Sequence, residues 1–183
     1  MIEIPQPALA LNSSDFGPSD HYRMQYNTVV PRSWSVQNIA DSISTTIAAA
    51  GGRLSSLVIN AHGMAGPDGV ALGTGLHYGS IAPLFVFSGQ IGRIYLCACQ
   101  VADTGAGYEF CRFLSLQLNA PVVASKEPQT IGTSDREGVG TTGAGAGVFF
   151  YGQVRENFID NFEGTTYEFL PDGSRTDWRG NGA

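Results

Sequence analysis

Leu57-Val58-Ile59-Asn60-Ala61-His62-Gly63 and Ile94-Tyr95-Leu96-Cys97-Ala98-Cys99-Gln100 decide how this chain reads. Each is an apolar run that stops on a side chain capable of chemistry. Near-continuous apolar character, without polar alternation, marks a central parallel strand covered on both faces. Parallel strands of one sheet finish at the same edge, and open α/β sheets bind ligands beyond that edge. If the two runs lie close in one sheet, His62 and Cys99 emerge together.

The flanking sequence supplies the rest of an α/β pattern. Ser33 or Ser35 stands where an N-cap belongs. Val36, Ile39, Ile43 and Ile47 then recur at helical spacing, and Gly51-Gly52 closes the helix. The first buried strand is expected over 53–61 and the second over 94–99. Between them, Val70-Ala71-Leu72 reads as a hairpin or irregular excursion. Residues 81–87 read as a short helix that tolerates Pro83 only in its first turn. Tyr108, Cys111, Leu114 and Leu118 mark a second amphipathic helix ended by Asn119, and Pro121-Val122-Val123-Ala124 a third strand.

The ends are less regular. Pro5, Pro7, Gly17, Pro18 and the turn-forming Asn12-Ser13-Ser14-Asp15 make residues 1–28 an irregular lead-in, with a short strand over 24–30 stopped by Pro31. Residues 127–147 are rich in Gly, Thr and Ser and read as a long loop. A further strand is expected over 148–154, a terminal hairpin turn over 167–174, and a frayed tail over 179–183. The alternation of helix and strand gives an α/β three-layer sandwich with a mainly parallel central sheet, in a single domain covering residues 1–183.

Composition excludes several function classes. Of 183 residues, 43% are hydrophobic and 14% charged, enough for a buried core. Only ten residues are Lys or Arg, the net charge is -6, and no basic run occurs, which argues against a nucleic-acid partner. No apolar run reaches the length of a membrane span. Met1-Ile2-Glu3-Ile4-Pro5 has no basic leader or apolar core. The expectation is a cytoplasmic chain, or one exported without a cleavable signal peptide. Three cysteines cannot all pair within the chain, which favours free thiols.

A cysteine nucleophile needs a base to supply thiolate near neutral pH, and imidazole suits that task. Gly63 lets the backbone approach a substrate closely, and its N–H with that of Cys99 can form an oxyanion hole. Cys97 and Cys99, two apart, share a face if both lie in the strand. Depth separates them: Cys97 lies further inside and reads as packing, whereas Cys99 sits where the loop begins. Cys111 falls on the sheet-facing side of its helix. One His with a C-x-C pair falls short of four zinc ligands, so neither metal nor cofactor is expected. Gly138-Val139-Gly140-Thr141-Thr142-Gly143 fits G-x-G-x-x-G without the strand and helix that make a dinucleotide site, and reads as loop. His21 and His77 read as solvated or hydrogen-bonded.

A run ending in His-Gly, followed by one ending in a small residue and Cys, resembles the caspase-like (clan CD type) cysteine peptidases. The likeness is greatest to bacterial caspase-like domains of unknown function found in large surface or secreted proteins. It rests on residues 58–63, Val70-Ala71-Leu72-Gly73, 94–99, Gly105-Ala106-Gly107-Tyr108-Glu109-Phe110, and Ala120-Pro121-Val122-Val123-Ala124-Ser125 with Gly132. The resemblance implies that His62 is the base, Cys99 the nucleophile and Gly63 the oxyanion-hole glycine of a peptidase working through an acyl-enzyme on a protein or peptide substrate. Asp15, Asp68, Asp103 and Asp135 are candidates for a pocket selecting Lys or Arg, and Lys126 and Arg136 for one selecting Asp. The alternatives are a catalytically silent binding or assembly module of this fold, and a structural domain in which Cys99 only packs.

Overall fold

Five parallel strands and two antiparallel strands form the main sheet of the computed structural model, which describes residues 1–63, 69–129 and 156–180. In chain order the elements are β1 (Ile2–Glu3), β2 (Ala8–Ser13), β3 (Tyr26–Val30), α1 (Val36–Ala49), β4 (Ser56–Asn60), β5 (His62–Gly63), β6 (Gly69–Ala71) and β7 (Leu76–His77). They continue with β8 (Ile94–Cys97), α2 (Gly105–Leu118), β9 (Val122–Ser125), β10 (Phe158–Ile159), β11 (Thr166–Phe169) and β12 (Arg175–Asp177). Single 3₁₀ segments lie at Pro18–Asp20 and Ala82–Phe87, the second with Pro83 in its first turn as expected. The main sheet has the order β12-β11-β9-β8-β4-β2-β3. Strands β3, β2, β4, β8 and β9 run parallel, while β11 and β12 close one edge antiparallel. The chain is therefore mixed α/β with a mainly parallel sheet.

The topology follows from crossover handedness. The chain passes from β2 to β3 in one direction, then returns over β2 to β4 and continues to β8 and β9. Right-handed crossovers running in opposite directions lie on opposite faces. Accordingly Tyr22 and Met24, from the β2–β3 connection, pack on one face with Ile2, Ile4, Val58, Tyr95 and Ile159. Helices α1 and α2 pack on the other, where Ile39, Ile43, Phe110, Cys111 and Leu114 meet Leu9, Leu11, Ile59, Leu96 and Val122. Among the described residues both α-helices lie on this one face. Non-helical segments near the chain ends cover the other, where three-layer order leads one to expect helix.

The helix boundaries have local causes. Ser35, not Ser33, caps α1: its Oγ accepts from Asn38 N, while Asn38 Oδ1 accepts from Ser35 N, a reciprocal capping box. Thr104 caps α2, and Asn119 ends it in the left-handed conformation. The β11–β12 turn lies within the expected 167–174 region and is fastened by Leu170 N to Ser174 O at 2.9 Å.

The largest correction concerns residues 1–28. They are not an irregular lead-in: β2 is a fully buried inner strand between β3 and β4, and β1 pairs with β10. Its turn-like end is buried polar structure. Asn12 Nδ2 donates to Tyr22 O at 3.1 Å, Tyr22 N donates to Asn12 Oδ1 at 2.9 Å, and Asn60 Nδ2 reaches both Asn12 Oδ1 (2.9 Å) and Asp20 O (2.8 Å). These bonds tie the β2–β3 connection to the end of β4. Replacing Asn12 with Ala strands the Tyr22 N–H and C=O, so stability in urea unfolding should fall by about 3 kcal/mol. The expected strand over 148–154, the Gly-rich pattern at 138–143 and the loop beyond residue 129 lie outside the described residues, as do residues 181–183 of the tail.

Candidate functional site

The strand order reverses between β2 and β4, and the carboxyl ends beside such a reversal are where open α/β sheets hold ligands. Register aligns Asn12, Asn60 and Cys97 as one row across β2, β4 and β8. His62 and Cys99 each lie two residues beyond that row. The sheet thus brings both to one edge, just beyond the ends of neighbouring strands.

His62 opens a small antiparallel sheet, β5-β6-β7, with His62 opposite Ala71 and Gly63 opposite Val70. Its side chain is exposed. The ring lies against Phe16, centroids 4.5 Å apart and planes at 60°. Phe16 and Asp15 follow β2 directly, so the reversal point contributes an aromatic wall and a carboxylate beside the imidazole. Arg32 donates to the Asp15 carboxylate and is the main cause holding its pKa below the ordinary value; partial burial opposes this, and the charges of Arg32 and His62 add to it.

Gly63 lies directly on the Cys99 main chain. A Cβ at Gly63 would stand 2.0 Å from the Cys99 carbonyl oxygen and 3.5 Å from its Cα. No side chain fits there, so glycine permits the two segments to meet. Strand β8 ends at Cys97, and Ala98 to Gln100 turn away from it. Gln100 has φ 52°, a left-handed conformation uncommon for a side-chain-bearing residue and costly by roughly 1–2 kcal/mol. Such strained turns concentrate at functional sites.

This geometry corrects one step of the sequence reading. The shared-face argument for Cys97 and Cys99 fails because the strand stops between them. Cys97 packs on the face holding Tyr22, Val58 and Tyr95, where burial and then the Asp160 charge push its thiol up. Cys111 is buried between α2 and the sheet, with its thiol likewise raised by burial. Cys99 is partly buried, and its sulfur meets the main chain of Gln129: Sγ donates to Gln129 O at 3.2 Å and accepts from Gln129 N at 3.3 Å.

Of the acidic specificity candidates, Asp15 stands beside His62, while Asp103 is exposed in the turn before α2. Asp68, Asp135 and Arg136 lie outside the described residues. Lys126 extends β9, with its N–H on Thr165 O. His21 Nε2 meets Phe16 O at 3.1 Å, and His77 Nδ1 accepts from Gly79 N at 3.2 Å. Among the described residues, no three His, Cys, Asp or Glu side chains converge in a way that could hold a metal ion. None of their helices is long and apolar enough to cross a membrane. Phe16 and Gln129 carried no local sequence signal, since one sits in a turn and the other enters a Gly-rich stretch. In comparisons of the sequence with protein-family models and with curated proteins, no match was found.

Proposed function

We propose that this chain is a caspase-like cysteine endopeptidase in which His62 and Cys99 form the catalytic dyad. The observation that carries the reading is the contact of Gly63 with the Cys99 main chain at the carboxyl edge of adjacent parallel strands. On this reading imidazole and thiol act together on a substrate bound beyond the strand ends, beside the strand-order reversal.

The chemistry runs as acyl transfer. His62 takes the Cys99 thiol proton, and the thiolate attacks the scissile carbonyl carbon. The Gly63 and Cys99 N–H groups stabilise the resulting oxyanion. The tetrahedral species collapses to a thioester as His62 returns the proton to the leaving amine. His62 then deprotonates a water, which attacks the thioester and releases the acid and the free thiol.

The contact between Cys99 Sγ and Gln129 favours a second reading, a catalytically silent module of the same fold that binds or assembles without turnover. A fluorogenic peptide library separates them. The peptidase reading expects cleavage by the wild-type chain and none by Cys99→Ala. Equal signals from the two would leave the silent module.

A further inference from the structure

Beyond β9 the main chain runs beside the turn that carries Cys99. Ser125 O accepts from Ala102 N at 3.0 Å, and Glu127 O accepts from Gln100 N at 3.1 Å. The third rung is Gln129, whose N–H and carbonyl both meet Cys99 Sγ. Residues 125, 127 and 129 thus turn one edge toward the turn, with the alternation of a strand. Lys126 uses the opposite edge, donating to Thr165 O at 2.9 Å. The first two rungs engage main chain; the third engages the thiol.

The Gln129 side chain fixes that third rung. Its Nε2 lies 2.8 Å from Ser125 Oγ, 3.0 Å from Glu127 O, 3.1 Å from Pro128 O and 3.1 Å from Glu163 O. Its Oε1 accepts from Glu163 N at 2.9 Å. An amide NH₂ has two protons, so these acceptors share them, and the group is enclosed in polar main chain. Such enclosure anchors the residue's own peptide edge.

We propose that Gln129 is a latch on Cys99: its side-chain amide holds its own peptide edge over the sulfur, and the thiol reacts when that last rung opens. The inference rests on the reading of Cys99 as the nucleophile. The latch works by occupancy, because a peptide edge hydrogen-bonded to Sγ fills space that an electrophilic carbon needs. Opening breaks the Gln129 contacts and leaves the Ser125 and Glu127 rungs in place.

The test is the rate of iodoacetamide labelling of each cysteine in the full chain, mapped by mass spectrometry, for wild type, Gln129→Ala and Gln129→Glu. Both variants remove the NH₂ donor; the second keeps an oxygen for Glu163 N. The expected result is labelling of Cys99 roughly tenfold faster in both, the effect of losing one to two net hydrogen bonds, with Cys111 protected. Wild-type or slower rates at Cys99 overturn the latch. So does acceleration of all three cysteines together, which reports unfolding rather than a local opening. His62→Ala in the same assay keeps the two claims apart. Slowing in His62→Ala without acceleration in the Gln129 variants retains the dyad and rejects the latch; the reverse retains the latch and rejects the dyad.

Discussion

With the proposed dyad, Cys99→Ala should reduce peptide cleavage to the uncatalysed background, and His62→Ala should reduce kcat/KM by about 10²–10⁴-fold, the usual worth of a positioned acid–base group. These are the largest effects expected of single substitutions here. The first removes the atom that forms the acyl-enzyme. The second leaves the thiol in place but removes both the base that generates thiolate and the acid that protonates the leaving amine. His62 is exposed and, among the described residues, its ring meets that of Phe16 alone, so its loss should leave the fold intact. Cys97→Ala serves as the internal control. That thiol packs among Tyr22, Val58 and Tyr95, and its replacement should change stability more than turnover.

Gly63→Ala should damage both fold and turnover. The new Cβ would fall 2.0 Å from the Cys99 carbonyl oxygen, a main-chain atom that has no rotamer through which to retreat. Either β5 lifts from the turn or the turn shifts, and each outcome moves His62 relative to Cys99. Overpacking of this kind costs about 3 kcal/mol, and misplacement of reacting groups by about an ångström costs around 10²-fold in rate. Urea unfolding and peptide kinetics read the two losses separately. Gly105→Ala is the matched control, because nothing lies within 4 Å of a Cβ at Gly105. An unchanged Gly63→Ala would remove the contact on which the site is built.

The inner strands were legible because they obey a simple rule: a strand buried on both faces must be apolar at consecutive positions. Residues 57–59, 94–97 and 122–124 obey it. Strand β2 obeys it only from Ala8 to Leu11 and then carries Asn12 and Ser13 into the interior. Those polar residues resemble a surface turn in sequence. They are buried because Tyr22, Asp20 and Asn60 satisfy Asn12 and its neighbours, partners that exist only after folding. The positions of His62, Gly63 and Cys99 at strand ends were legible from the same runs. The contact of Gly63 with the Cys99 main chain was not, since the order β2-β4-β8 is a property of crossovers rather than of any one segment. Asp15, Phe16 and Gln129 reach the site through turns and a strand extension, where no periodicity marks a side chain's neighbour.

The measurement that bears most directly on the dyad is the iodoacetamide rate at Cys99 near pH 6, where an unassisted thiol is largely protonated, in wild type against His62→Ala. Any opening step at Gln129 is common to both chains, so the ratio isolates what the imidazole does for the thiol. A His62–Cys99 dyad predicts labelling of Cys99 ahead of Cys97 and Cys111 in wild type, and a fall of at least about tenfold in His62→Ala. Equal rates in the two chains, or equally slow labelling of all three cysteines, would contradict it.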